Sequence, residues 1–205
     1  MAEAEQMKKN NAILALSIIA LLLPVGAFSG CIDTEAGQNN ETNSNITTQK
    51  EETGDDFTFY TLENTEKQLS DYRGKVVVVD MWATWCQPCQ YQMVELKKAH
   101  EHYPSEDVQI LSIDIDNRES ISLIKEFKQA FADQGYPLEW TFGLAKDSLN
   151  EYMTEGAIPT LAIFDQQGNL AFRHAGVSYF EEIPSNYPSD QPKPPVLIEE
   201  IDKLL

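Results

Sequence analysis

The spacing of apolar residues divides residues 55–205 into short strands and amphipathic helices. Residues 57–62 (FTFYTL) combine aromatic and β-branched side chains, a composition that predicts a strand. Residues 76–82 (VVVVDMW) are almost continuously apolar, which is typical of a strand buried on both faces of its sheet. Residues 108–116 (VQILSIDID) predict a second strand of that kind.

Three segments have the spacing of a helix with one apolar face. Apolar residues recur every three or four positions through 93–103 and again through 121–131. Asp116 and Glu119 predict a capping box ahead of the second of these helices. Residues 194–205 (PPVLIEEIDKLL) predict an amphipathic C-terminal helix with proline at its start.

The last strands are predicted to form a hairpin. Residues 160–165 (TLAIFD) and 170–176 (LAFRHAG) flank a turn at Gly168-Asn169, and residues 140–145 (WTFGLA) predict another short strand. Strands that alternate with helices and finish in a hairpin indicate an α/β fold, with a mixed central sheet flanked by helices on both faces.

Residues 1–31 have the layout of an export signal. Two lysines precede an apolar run from Ala12 to Phe28, and small residues then lead to Cys31. Three outcomes fit this pattern: cleavage with lipid attached at Cys31, cleavage without lipid, or an uncleaved anchor. We favour the lipid anchor, because FSGC resembles a lipoprotein box. Each outcome places the protein outside the cytoplasm, and an anchor would hold it at the membrane.

Residues 32–54 are predicted to be a disordered polar linker, because they contain too few apolar residues to form a core. Asn40 and Asn45 each begin a sequon and could carry glycan in a suitable host. The folded domain is therefore predicted to span residues 55–205.

Charge excludes one class of partner. The chain has a net charge of −18, and residues 51–205 alone carry 12 lysines and arginines against 28 aspartates and glutamates. Nucleic acid binding requires neutralisation of phosphates by lysine and arginine, so no nucleic acid partner is expected.

Two of the three cysteines lie in WCQPC, residues 85–89. A structural zinc site needs four ligands, but there is no second CxxC, and His100 and His102 do not share a helix face. No metal is therefore expected. A structural disulfide would close a loop too small to remove much entropy from the unfolded chain. A redox-active pair fits the surroundings better.

Cys86 falls where the predicted strand ends and a helix begins. Unpaired N–H groups and the helix dipole favour an anion there, and the thiolate is the reactive form of cysteine. Cys86 is therefore predicted to be the nucleophile. Cys89, one turn later, is predicted to attack the mixed disulfide and release the partner. Pro88 fits the first turn, where a missing N–H costs nothing.

The stretch DYRGKVVVVDMWATWCQPC, followed by VEL, resembles thioredoxin-fold proteins, and most of all the exported TlpA-like thiol–disulfide oxidoreductases. The resemblance spans about residues 55–183 and implies the thioredoxin fold. It also implies that Asp80 is a buried acid that exchanges a proton with Cys89. Burial raises the pKa of a carboxyl group, which would let Asp80 act as a base near neutral pH.

The resemblance implies a substrate-binding surface as well. In GAIPT, Pro159 matches the family's cis-proline, which packs against the cysteine pair and exposes the backbone of Ile158 to a substrate chain. Trp85 is similar to the family's aromatic residue beside the nucleophile. The predicted substrate-binding residues are Trp85, Gln87, Pro88, Ile158 and Pro159.

The sequence thus predicts an exported, membrane-tethered thiol–disulfide oxidoreductase that needs no cofactor beyond the Cys86–Cys89 disulfide. The resemblance implies a reductant that draws electrons from a membrane thiol carrier and serves protein thiols and disulfides, apocytochromes among them. Three alternatives stay open: a disulfide-forming oxidase or isomerase, a thiol peroxidase, and a non-catalytic metal-binding module. The peroxidase would have threonine where Ala83 stands, and metal carriers of this fold use CxxxC.

Overall fold

The computed structural model describes residues 54–146, 149–154 and 156–205. Over these ranges it has seven strands and three α-helices. The strands are β1 Thr58–Thr61, β2 Glu66–Gln68, β3 Val76–Trp82, β4 Val108–Asp114, β5 Thr141–Ala145, β6 Thr160–Phe164 and β7 Leu170–Ala175. The helices are α1 Gln87–His102, α2 Ile121–Asp133 and α3 Leu197–Asp202, and a 3-10 helix spans Leu69–Tyr72.

The strands form one mixed sheet in the order β2-β1-β5-β4-β3-β6-β7. β3 pairs in parallel with β4, and β4 with β5, whereas the other pairings are antiparallel. All seven residues of β3 are buried, as its continuous apolar sequence predicts. The strand that leads to the cysteine pair is therefore held by neighbours on both edges and both faces.

Successive residues of β3 point to opposite faces of the sheet and enter two separate cores. Val78 and Trp82 belong to a core that contains buried residues of α1, α2 and α3. Val77 and Met81 belong to the second core, which is covered by the 3-10 helix and residues 149–153. The predicted α/β thioredoxin fold is confirmed, with short helical turns rather than long helices over the second face.

Two predicted helix starts are wrong. α2 begins at Ile121, and its N-cap is Ser120, whose hydroxyl accepts from Leu123 N–H at 3.3 Å. The predicted capping pair, Asp116 and Glu119, is instead engaged by Trp85, Arg118 and Thr84 near the cysteines.

The C-terminal helix is shorter than its sequence pattern suggests. α3 starts only at Leu197, because Val196 forms a parallel bridge with Tyr179 and Pro195 O accepts from Tyr179 N–H. Strand β2 was not predicted, since Glu66–Gln68 has no apolar pattern and owes its form to pairing with β1.

The predicted export signal, its Cys31 and both sequons lie outside the described residues. Among the helices of the described ranges, none is both long and apolar enough to cross a membrane.

Candidate active site

The cysteine pair lies at the N-terminus of α1. Cys86 is the N-cap residue, and it is joined to Cys89 by a disulfide with an S–S distance of 2.01 Å. The backbone N–H of Cys89 points at Cys86 Sγ, 3.2 Å away. Cys86 is 4% exposed and Cys89 is fully buried. An N–H donor and the helix dipole both favour negative charge on Cys86, which supports its predicted role as the attacking thiolate.

The Ile158–Pro159 peptide bond is cis, as predicted, and it immediately precedes β6. Pro159 is buried, and its carbonyl accepts from Gly176 N–H at 2.8 Å. Ala157 O accepts the hydroxyl proton of Thr160 at 2.6 Å. Ile158 is half-buried and packs against both cores. The loop is thus fixed by bonds to the neighbours of Ile158.

A cleft of about 400 Å³ opens beside Trp85 and Ile158, with Ile115 and Gly156 among its other lining residues. Trp85 is 62% exposed, so a large apolar ring faces solvent at the cleft. The structure thereby brings together two of the predicted substrate-binding residues. Gln87 and Pro88 are also exposed, in the first turn of α1.

The ring of Trp85 is oriented by Asp116, which was predicted to belong to a capping box. Trp85 Nε1 donates to Asp116 Oδ2 at 2.9 Å, and Arg118 binds the same carboxylate through Nε at 2.8 Å. Hydrogen bonds from Arg118, and then that from Trp85, hold the pKa of Asp116 well below its usual range. Asp116 is therefore ionised throughout the neutral range and keeps the indole in place.

Asp80 is fully buried in β3. It lies on the same face of the strand as Val78 and Trp82, which share a core with both cysteines. Ser112 Oγ donates to Asp80 Oδ2 at 3.0 Å, while Oδ1 has no hydrogen-bond partner among the described residues. Burial raises the pKa of Asp80 to about 7, and the bond from Ser112 opposes that rise. The raised pKa is the one predicted for a base that works near neutral pH.

Two further acidic residues, Asp114 and Glu119, lie beside the turn that precedes Cys86. Glu119 accepts from Thr84 N–H at 3.1 Å and from Thr84 Oγ at 2.7 Å, two residues before Cys86. Burial, and after it the interaction with Glu119, raise the pKa of Asp114 to about 8. Burial opposes ionisation of Glu119, but its interaction with Asp114 and the hydrogen bonds from Thr84 outweigh burial and lower its pKa. Asp114 therefore stays mostly neutral at neutral pH beside ionised Glu119, which accepts both hydrogen bonds from Thr84.

The loop after β7 is held against α1 by polar side chains that sequence reasoning missed. Gln92 is fully buried, donates to Ser178 O at 3.2 Å and accepts from Ser178 N–H at 2.7 Å. Glu95 accepts from Phe180 N–H at 2.9 Å. A glutamine inside an apolar helix stripe was the available signal, because a buried amide needs partners. These bonds fix the segment that continues from Gly176, the partner of Pro159.

Within the described ranges, no group of three or more His, Cys, Asp or Glu side chains is arranged to hold a metal ion. The three histidines lie apart: His100 contacts Trp140, His102 contacts Tyr103 and Phe180, and His174 is in β7.

Residues 51–173 match the model of the AhpC/TSA family. The chain belongs to the AhpC/TSA family. Among curated relatives, thiol-disulfide oxidoreductase ResA of Geobacillus thermodenitrificans is 29% identical over 140 residues, which cover 68% of this chain and 77% of ResA. Thioredoxin-like protein YneN of Bacillus subtilis is 30% identical over 130 residues, or 62% of this chain and 72% of YneN. The predicted enzyme class, thiol–disulfide oxidoreductase, is confirmed.

Solved structures support the thioredoxin-like fold of this AhpC/TSA member. A thiol-disulfide isomerase from Corynebacterium glutamicum superposes with a TM-score of 0.55 at 17% identity, covering 73% of this chain and 92% of its own. The exposed lipoprotein thioredoxin of Streptococcus pneumoniae gives 0.52 at 20% identity, covering 73% of this chain and all of its own. At such identities the likeness concerns the fold alone.

Proposed function

We propose that this protein is an exported, membrane-tethered oxidoreductase that reduces disulfides in protein substrates through Cys86 and Cys89. One observation carries the proposal: the Cys86–Cys89 disulfide caps the helix at the end of the buried strand that holds Asp80. This arrangement combines a sulfur activated by a helix N-terminus, a second sulfur within bonding distance and a buried acid on the same face of the sheet.

The first step is attack on the substrate. In the reduced protein, the Cys86 thiolate attacks one sulfur of a substrate disulfide, a bond forms between the two sulfurs, and the substrate's S–S bond breaks. The second substrate sulfur leaves as a thiolate and takes a proton from solvent. Cys86 then carries the substrate as a mixed disulfide.

The second step releases the substrate. Cys89 loses its proton to ionised Asp80 and attacks the sulfur of Cys86. The Cys86–Cys89 disulfide forms, the mixed disulfide breaks, and the remaining substrate sulfur leaves with the electron pair. A pKa of about 7 for Asp80 suits this transfer, because much of the acid is ionised at neutral pH and able to accept a proton.

The cleft supplies a place for the substrate chain. The exposed ring of Trp85 offers a flat apolar contact, and the backbone beside the cis bond at Ile158 offers hydrogen-bonding groups to an extended chain. Gln87 and Pro88 are exposed next to the nucleophile and would contact a bound chain. The reaction then needs no cofactor other than the cysteine pair.

The N-terminal sequence and the enzyme class support the proposed location and partners. An apolar run that ends in FSGC supports export and a lipid anchor at Cys31, with the polar linker as a tether. An exported reductant must be re-reduced, which supports a membrane thiol carrier as one partner. Its clients are proteins with disulfides, and the family resemblance implies that apocytochromes are among them. The relative named ResA carries the same enzyme class in its name.

The direction of electron flow is tested by the reduction potential of the Cys86–Cys89 pair. A value near that of thioredoxin, about −270 mV, would support the reductant. A value near that of a strong oxidant, about −120 mV, would contradict it and favour the disulfide-forming oxidase.

The order of the cysteines is tested by trapping. The Cys89→Ser variant is expected to accumulate a mixed disulfide with substrate, because the resolving sulfur is gone, whereas Cys86→Ser should accumulate none. Cys31→Ser is the matched control and should reduce insulin at the wild-type rate. Trapping by Cys86→Ser instead of Cys89→Ser would reverse the assigned roles.

A further inference from the structure

The buried carboxyl of Asp80 is the end of a hydrogen-bond chain that begins at Trp140. Trp140 Nε1 donates to Ser112 Oγ at 2.9 Å, and Ser112 Oγ lies 3.0 Å from Asp80 Oδ2. Ser112 is paired with Asp80 across β3 and β4 and is fully buried, and Trp140 is 5% exposed. The three side chains therefore interact with little competition from solvent.

The direction of this chain follows from counting donors. An indole nitrogen can only donate, so its N–H must point at Ser112 Oγ. The hydroxyl has one proton of its own, and within the described part of the chain Ser112 Oγ has no partner besides Trp140 and Asp80. If Ser112 accepted a proton from Asp80 as well, its own proton would be buried without an acceptor, which is unfavourable. Ser112 therefore donates to Asp80 Oδ2.

This donation determines which oxygen of Asp80 can be protonated. Oδ2 accepts the Ser112 proton in both the ionised and the neutral acid. Oδ1 is buried and has no partner among the described residues. We propose that Ser112 and Trp140 are positioning residues that keep Oδ2 as an acceptor, so that Oδ1 is the oxygen that takes and returns the proton of Cys89.

The proposal rests on the proposed function for its final step, the transfer between Cys89 and Asp80. There the proton leaves Cys89 Sγ for Asp80 Oδ1, directly or through one water, as Cys89 Sγ bonds to Cys86 Sγ and the substrate sulfur departs. The hydrogen-bond assignment itself does not depend on that step. It makes a prediction about the titration of Asp80 in the oxidised protein, where neither cysteine titrates.

Apart from the cysteine pair, the titratable groups that contact this series of hydrogen bonds do so at Trp140, the end away from Asp80. His100 of α1 contacts the Trp140 ring, with centroids 5.7 Å apart, and Lys128 Nζ of α2 lies 3.5 Å from Trp140 O. Leu161 of β6, which pairs with Asp80, and Met93 of α1, which lies in the same core, are apolar. Within the described residues, burial and the Ser112 bond are the influences that shift the pKa of Asp80.

The test is an NMR pH titration that monitors the carboxyl carbon of Asp80. It uses the full-length oxidised protein, labelled at aspartate and purified in detergent. The signal is assigned by its loss in Asp80→Asn. Ser112→Ala removes the hydrogen bond that favours the ionised acid. The titration midpoint of Asp80 in this variant should therefore rise by about one to two pH units. Trp140→Phe leaves Ser112 free to rotate and accept from neutral Asp80, so its midpoint should rise by a smaller amount.

Ser178→Ala is the matched control, because Ser178 Oγ is buried without a hydrogen-bond partner among the described residues. Its titration midpoint should equal that of wild type, and so should that of His100→Gln. Trp140→Phe introduced into Ser112→Ala should add no further shift, since the indole acts on Asp80 only through Ser112. A fall in the midpoint of Ser112→Ala, or no change beyond the Ser178→Ala value, would overturn the proposal.

Single-turnover resolution of a mixed disulfide between Cys86 and a peptide separates this proposal from the proposed function. The rate of resolution should increase with pH around the titration midpoint of Asp80. In Ser112→Ala this increase should occur at a higher pH, by the same shift that is seen in the titration. An upward shift in the titration supports the assigned proton position by itself. If the pH dependence of the resolution rate does not shift with the titration midpoint, Asp80 is not the base, although the assignment of its hydrogen bonds remains valid.

Discussion

Replacing Asp80 with asparagine should stabilise the folded protein at neutral pH, although it removes a residue proposed to act in the reaction. Asparagine has nearly the same shape and keeps an oxygen that can accept the Ser112 proton. It differs from aspartate chiefly in that it cannot ionise. The folded protein would then be spared a buried negative charge with one hydrogen-bond donor among the described residues.

The size of this effect follows from the pKa of Asp80. It is about 7 in the folded protein, against 3.8 for an unperturbed aspartate. A folded pKa above the unfolded value means that the folded state binds the proton more tightly. The contribution of Asp80 to the free energy of unfolding is therefore highest below pH 3.8, falls as pH rises toward 7, and levels off above it. A difference of about three pH units corresponds to about 4 kcal/mol.

The measurement is urea unfolding of the oxidised wild-type and Asp80→Asn proteins between pH 4 and pH 8. Keeping the disulfide intact removes any contribution from cysteine titration. The two free energies of unfolding should be similar near pH 4, and the difference should grow to about 4 kcal/mol in favour of the variant at pH 8. Asp190→Asn, at an exposed position, controls for the loss of one negative charge and should show no such growth.

A constant difference between wild type and Asp80→Asn across this range would refute the reasoning, because it would mean that Asp80 ionises as easily in the folded as in the unfolded chain. Activity provides a second check. The variant should resolve the mixed disulfide more slowly from pH 6 to pH 8, while alkylation of Cys86 by a small reagent should barely change. Equal resolution rates would show that Asp80 is not the base.

Three further changes test other parts of the structure. Gln92→Ala should lower the free energy of unfolding by about 2–3 kcal/mol, because both backbone groups of Ser178 lose their partner; exposed Gln129→Ala should change it little. Trp85→Ala should raise KM for a protein substrate several-fold while leaving alkylation of Cys86 within about twofold; an unchanged KM would exclude the ring from the binding surface. Cys31→Ala should release the protein from membranes if lipid is the anchor, and retention would favour an uncleaved helix.

Local sequence patterns were sufficient for the mixed α/β sheet and for the cysteine pair, whereas the thioredoxin fold was inferred from the family resemblance. Strand β3 is a run of buried residues, and Pro88 with the two cysteines marks the start of α1, so no distant contact was needed to place them. The raised pKa of Asp80 was predictable for the same reason, since its burial follows from the strand around it.

The acidic pair Asp114 and Glu119 was not predictable in this way. Glu119 supports Thr84 across a separation of 35 residues, a contact that exists only after β3 and β4 have paired. Its spacing from Asp116 instead imitates a capping box, while Ser120 takes that position because its hydroxyl reaches Leu123 N–H. Ser112 and Trp140 were likewise hidden, because a single serine in an apolar strand gives no indication of its partners.

The small exposure of Cys86 restricts the shape of the molecules with which the protein can exchange disulfides. Only 4% of the residue is open to solvent, yet a mixed disulfide requires the two sulfurs to come within about 2.0 Å. A disulfide embedded in a rigid, convex surface cannot approach so closely without a clash. A bond in a loose or incompletely folded chain can enter the cleft beside Trp85. The enzyme would therefore select its clients by their state of folding, and mature proteins with buried disulfides would be spared.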